Sequence, residues 1–120
     1  ITADTVVILD DKVLGKPKDA DQAFHMLSML SGRIHKVVTG VCLTTSERQV
    51  SFSSSTEVTF RKLEPAEIKY YIDHYKPFDK AGAYGIQEWI GYIGVKAING
   101  SFFNVMGLPV ARVYEELKKI

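Results

Sequence analysis

The chain of 120 residues has little that would commit it to several large classes of protein. It has one cysteine, Cys42. An internal disulfide is therefore excluded, and a reducing, cytoplasmic compartment is the expectation. It has no apolar run long enough to span a bilayer, and no basic stretch leading into an apolar segment at its start, so neither a membrane partner nor a secretory signal is expected. It has no excess of one charge: 15 Lys and Arg stand against 14 Asp and Glu. Proteins that neutralise nucleic-acid phosphates carry a clustered basic surplus, and this sequence does not. No tract of low complexity and no internal repeat interrupts it. What remains is 46% hydrophobic and 24% charged residues, the composition of an ordinary globular chain of one-domain size, residues 1–120.

The pattern along the chain predicts alternating strands and helices. Thr5 to Leu9 is a continuous β-branched apolar run, expected as a strand buried on both faces. Val13 and Leu14 form a short extended piece, broken by Gly15-Lys16-Pro17. Asp19 has the side chain of an N-cap, with Gln22 three residues on as in a capping box. Ala20, Ala23, Phe24, Leu27 and Leu30 follow at helical spacing, and Gly32 is a natural stop. Residues 34 to 45 and 49 to 60 predict two strands joined at Ser46-Glu47-Arg48, with a bulge expected at Ser53-Ser54-Ser55. Pro65 suits the first turn of a helix that carries Ile68, Tyr71, Ile72 and Tyr75 and ends at Pro77. Residues 79 to 87 predict a loop paced by glycines. Ile90 to Ile98 predicts a strand, Asn99-Gly100 a hairpin turn, and Ser101 to Val105 its partner strand. A last helix after Pro109 places Leu108, Val113, Leu117 and Ile120 along one side. The fold class is α/β, a mixed sheet with flanking helices.

Several residues have chemistry suited to a site. Asp4 precedes the first apolar run, where a carboxylate is either held at the rim of a sheet as a metal ligand or general base, or is a plain strand-edge aspartate. Lys16, between a glycine and a proline ahead of a capped helix, is either part of a phosphate corner or a solvated turn lysine; no Walker A spacing surrounds it. Asp79 and Lys80 open the glycine-paced loop, and Gln87 closes it with an amide, which both donates and accepts. His25, His35 and His74 do not pair with one another or with Cys42 at a zinc spacing. Cys42, between Val41 and Leu43, is expected in the core, as are Tyr70, Tyr71, Phe102 and Phe103 in the core or an interface.

Taken together, these segments resemble the Maf family. Thr2-Ala3-Asp4-Thr5-Val6-Val7, Gly15-Lys16-Pro17, Leu30-Ser31-Gly32-Arg33 with His35, and Val38-Thr39-Gly40-Val41 are similar to it in order. So are Asp79-Lys80-Ala81-Gly82-Ala83-Tyr84-Gly85-Ile86-Gln87 and Asn99-Gly100-Ser101-Phe102-Phe103-Asn104-Val105-Met106-Gly107-Leu108-Pro109. The resemblance covers nearly the whole chain. It implies a fold like that of the inosine triphosphate pyrophosphatases and hydrolysis of a nucleoside triphosphate to the monophosphate and pyrophosphate. A divalent metal, Mg²⁺ or Mn²⁺, is implied with it. The Gly-Ile-Gln ending at Gln87 resembles the branch acting on dTTP and UTP.

By position, the resemblance makes Asp4 the proton acceptor and a metal ligand. Thr5 and Gln87 would set base preference, Lys16 would bind phosphate, and Asp79 and Lys80 would line the same pocket. A homodimer and an older link to septum formation come with the family. Its opening Ser-x-Ser-Pro-Arg-Arg segment, with a substrate-contacting arginine, has no counterpart here. The expectation is therefore an N-terminally incomplete, C-terminal portion of the fold. A non-catalytic nucleotide-binding or cell-division regulatory remnant is the rival expectation.

Overall fold

A computed structural model describes all residues, Ile1–Ile120. In chain order the elements are β1 (Thr2–Leu9), β2 (Lys12–Leu14), α1 (Ala20–Leu30), β3 (Ile34–Thr44), β4 (Gln49–Phe60), α2 (Pro65–Tyr75), a 3₁₀ turn (Ala81–Ala83), α3 (Trp89–Gly94), β5 (Val95–Asn99), α4 (Phe102–Met106) and α5 (Val110–Lys118). The α/β expectation holds. The strands form one sheet in the order β2-β1-β3-β4-β5, and each of its four ladders is antiparallel, so the sheet is not the mixed one expected.

The period of two along the strands decides which face is covered. In β3, His35, Val37, Thr39, Val41 and Leu43 are buried, while Ile34, Lys36, Gly40 and Thr44 are exposed. The register carries this across: Val7 faces Val37 and Thr5 faces Thr39 on the buried side, while Asp4 faces Gly40 on the other. Helices α1 and α2 supply Leu27, Leu30, Ile68 and Tyr71 to the same core as Val7, Leu9, Val58 and Phe60. Burying each such side chain is worth about 1.5–3 kcal/mol. The first strand is thus covered on one face, and its other face, with Val6 and Ile8, is half-buried.

Local signals explain most element boundaries. Asp19 caps α1 by accepting the Gln22 backbone N–H at 2.8 Å. The Gln22 side chain reaches one residue further than a capping box does, to the Lys18 N–H at 2.6 Å. Met26 joins Ala23, Leu27 and Leu30 on the buried stripe, while Phe24 and Ala20 are exposed. Helix α2 has Pro65 in its first turn and a reciprocal cap between Glu64 and Glu67, and ends at Lys76 in the left-handed region.

Several expectations are corrected. The serine triplet makes no bulge: Ser53, Ser54 and Ser55 pair in register with Gly40, Thr39 and Val38, and the irregularity lies at Thr59 and Phe60 opposite β5. Hydroxyls alternating toward an exposed face do not disturb the ladder. Residues 89–94 are helical, with only 95–99 in a strand; a short apolar run fits either period. Asn99-Gly100 does not close a hairpin. Gly100 has φ +127°, and a Cβ there would meet Thr56 Oγ1 at 2.8 Å, so the glycine serves a close approach to β4. Ser101 then caps α4 by accepting the Asn104 N–H at 3.1 Å, which turns the expected return strand into a helix. Finally, Cys42 is half-buried on the outer face, where it accepts a hydrogen bond from Gln49 Nε2 at 3.0 Å. Tyr71 is in the core, but Tyr70, Phe102 and Phe103 are exposed, and of the last helix only Val113 is buried.

Candidate active site

One cavity of about 450 Å³ opens beside the first strand, within the size range of small-molecule sites. Its wall includes Asp4, Thr5, Lys16, Asp79, Lys80 and Gln87, all six residues singled out in the sequence. Three separate stretches of chain supply them. The start of β1 brings Asp4 and Thr5. The exit from β2 brings Lys16 beside Gly15. The loop after α2 brings Asp79, Lys80 and Gln87, and the end of α4 completes the wall with Val105, Met106 and Gly107.

The loop has no ladder to hold it, so individual contacts do. The Gly82 N–H donates to the Gly15 carbonyl at 3.0 Å, tying the loop to the exit of β2. Gly82 has φ +69°, and a Cβ on it would lie 2.9 Å from Val7 Cγ2. Only glycine meets both conditions. Tyr71, buried in α2, accepts the Gly85 N–H at 3.0 Å and donates to Glu88 Oε1 at 2.6 Å. Burial first, and then Glu88, raise the Tyr71 hydroxyl above its ordinary pKa, so it stays protonated and able to donate. Tyr84 is buried and bonded to His35 Nε2 at 2.5 Å, with Phe60 edge-on to both rings.

The charges on the wall are mixed. Lys80 Nζ lies 3.4 Å from Asp79 Oδ1. Asp79's own backbone N–H, followed by Lys80, holds its carboxyl below the usual range, with Lys16 adding to the effect. Asp4 is exposed on the outer face of the sheet beside Gly40, and Thr5 is half-buried on the inner face. Thr5 Oγ1 lies 2.9 Å from Thr39 Oγ1. Beneath, Asn104 Nδ2 lies within 3.1 Å of the Val37 and Ser54 carbonyls and 3.0 Å of Thr56 Oγ1, which anchors α4 against the sheet.

No three His, Cys, Asp or Glu side chains converge to hold a metal ion. The carboxylates on the wall are Asp4 and Asp79. A magnesium-like cation that arrives with phosphates uses only one or two protein carboxylates and takes its other ligands from phosphate and water. This hard, all-oxygen donor set fits such an ion.

Sequence reasoning missed the supporting residues Thr39, Tyr71, Tyr84 and Asn104, and gave His35 no role. A signal existed for two of them. His35 and Thr39 break an otherwise apolar parity on β3, and a polar side chain on the buried face of a strand needs a partner.

The α/β fold places a cavity flanked by Lys16 and Lys80 beside the start of β1. The comparisons with known proteins give the family: the model described as Maf-like protein matches residues 1–120, and the chain belongs to that family. The protein named dTTP/UTP pyrophosphatase of Bacteroides thetaiotaomicron is 62% identical over 120 residues, all of this chain and 62% of that protein. The protein of that name from Phocaeicola vulgatus is 65% identical over 120 residues, again covering 62% of its length. The one from Porphyromonas gingivalis is 58% identical over 118 residues, 98% of this chain and 59% of that protein. The chain therefore spans about 62% of the length of the first two of these relatives.

Proposed function

We propose that this chain carries the nucleotide pocket of a dTTP/UTP pyrophosphatase, which hydrolyses the triphosphate to the monophosphate and pyrophosphate. The observation that carries the proposal is the convergence of Asp4, Thr5, Lys16, Asp79, Lys80 and Gln87 on one cavity. The names of the relatives support the choice of substrate.

In this reaction a water oxygen bonds to the α-phosphorus and the bond to the bridging oxygen of pyrophosphate breaks. Asp4 accepts the water's proton. Its exposure leaves the carboxylate open to water and substrate, as a general base must be. Lys16 and Lys80 neutralise phosphate charge, which builds on the leaving pyrophosphate as the bond breaks. Asp79 keeps Lys80 at the wall through their ion pair. Thr5 and Gln87 contact the base. A divalent cation held by Asp4 and the triphosphate would supply further charge neutralisation.

The test is pyrophosphate release from dTTP, UTP, CTP, ATP and GTP by the full-length protein, with and without Mg²⁺ or Mn²⁺. The expected result is metal-dependent release, fastest with dTTP and UTP. Equal or faster release from GTP, or none from any of the five, refutes it.

A further inference from the structure

Thr5 and Gly107 both line the cavity, and a Cβ on Gly107 would come to 3.9 Å of Thr5 Oγ1. Whether this hydroxyl donates or accepts there depends on its neighbour. Thr39, with no exposed surface, lies 2.9 Å from Thr5 Oγ1 and 3.3 Å from the Asn104 carbonyl oxygen. A carbonyl only accepts, and this one is fixed: it also accepts the Gly107 N–H at 3.0 Å, and its residue is held by the amide contacts to β3 and β4. Thr39 has one proton. If it went to Thr5, two acceptors would face each other at 3.3 Å in a water-free site, at the cost of an unmade buried hydrogen bond. The proton therefore goes to Asn104, and Thr5 must give its own proton to Thr39. Only the lone pairs of Thr5 are left for a ligand.

We infer that Thr39, acting through Thr5, is a positioning residue that makes the cavity select pyrimidines with a ring N–H, thymine and uracil, over cytosine, whose ring N3 has no hydrogen. This deepens the proposed function and rests on it. The Asn104 carbonyl sets the direction, Thr39 relays it, and Thr5 presents it. Thr39→Val keeps the shape but removes the relay. The Thr5 proton is then free to turn toward the cavity and to meet the N3 acceptor of cytosine.

The experiment measures kcat/KM for dTTP and dCTP in the full-length protein, for the wild type, Thr39→Val, Thr39→Ala and Thr39→Ser, with melting temperatures alongside. The expected result is a fall of about 10-fold or more in the dTTP/dCTP ratio for the two variants without a hydroxyl, the scale of one mismatched buried hydrogen bond. Thr39→Ser should keep the wild-type ratio. A purely structural role would lower both substrates together and leave the ratio alone. A folded Thr39→Val or Thr39→Ala with the wild-type ratio overturns the inference, as does a Thr39→Ser that falls as far as they do. One measurement needs no variant: N3-methyl-dTTP has no N–H to offer, so the wild type should turn it over no better than dCTP, and turnover at the dTTP rate overturns the inference. A wild type that hydrolyses dTTP but whose variants miss these marks defeats this inference alone. A wild type that hydrolyses neither dTTP nor UTP defeats the proposed function and takes the inference with it.

Discussion

Acid should destabilise this fold through one histidine, and in a pH window that other groups leave clear. His35 is 1% exposed, between Phe60 and Tyr84. Burial pushes its pKa from 6.5 down to about 4, and its Nδ1 has no hydrogen-bond partner to stabilise a charge. The folded state thus holds it neutral where the unfolded chain would protonate it. Between those two pKa values the unfolded state binds more protons, so stability is full above pH 6.5 and is lost as pH falls toward 4. With a 2.5-unit gap, the loss relative to pH 7 is about 2 kcal/mol at pH 5 and about 3 kcal/mol at pH 4.

The carboxylates Glu67, Asp79 and Glu116 have pKa values lowered from 4.5, 3.8 and 4.5. Their stabilisation is still present at pH 5 and fades only below. The assay is equilibrium urea unfolding at intervals from pH 7.5 to 4.5, for the wild type and His35→Gln. Glutamine can still bond the Tyr84 hydroxyl but does not titrate. The wild type should lose about 2 kcal/mol by pH 5 while the variant, whatever its offset, stays nearly level. Parallel curves for the two proteins would refute the assignment.

Three further outcomes follow from the site. Gly82→Ala should cost about 2 kcal/mol or more, since positive φ and the contact with Val7 both penalise a Cβ; thermal unfolding checks it. Asp4→Asn should lower dTTP turnover by about 10²–10⁴-fold with the melting temperature unchanged, because an exposed carboxylate is replaced by an amide of the same shape; pyrophosphate release and melting measured together check it. Gln87→Ala should flatten the ranking among dTTP, UTP, CTP and GTP, which competition kinetics would reveal, and an unchanged ranking would remove Gln87 from base recognition.

The sequence was legible where a signal is local. Asp19, Pro65 and the period-two runs of β3 and β4 place their elements to within a residue or so, because caps and alternation act over a few neighbours. It was illegible where a distant contact decides. Asn99-Gly100 has the sequence of a tight turn, yet its glycine answers to Thr56, 44 positions earlier, and the helix that follows is anchored by Asn104 to β3 and β4. Five of the six candidate residues stand out by their own chemistry and Thr5 only through the family resemblance, but the side chains that hold them do not. Tyr71 and Tyr84 look like core aromatics in sequence, and their hydroxyls acquire partners only when α2, β3 and the loop come together.

Val7, Val37 and Tyr84 belong both to the main core and to the cavity wall. Truncating any of them removes apolar burial and support for the pocket at once, so lost activity there is not evidence of a chemical role. Asp4, Lys16 and Gln87 are exposed and lie outside the core, so their substitution separates chemistry from folding. Thr39 is the intermediate case: fully buried, and its valine replacement keeps the side-chain shape while removing the hydroxyl that bonds Thr5 and the Asn104 carbonyl. Ratios between substrates, in which a shared loss of folded protein cancels, are therefore the proper measure for the buried residues, and absolute rates for the exposed ones.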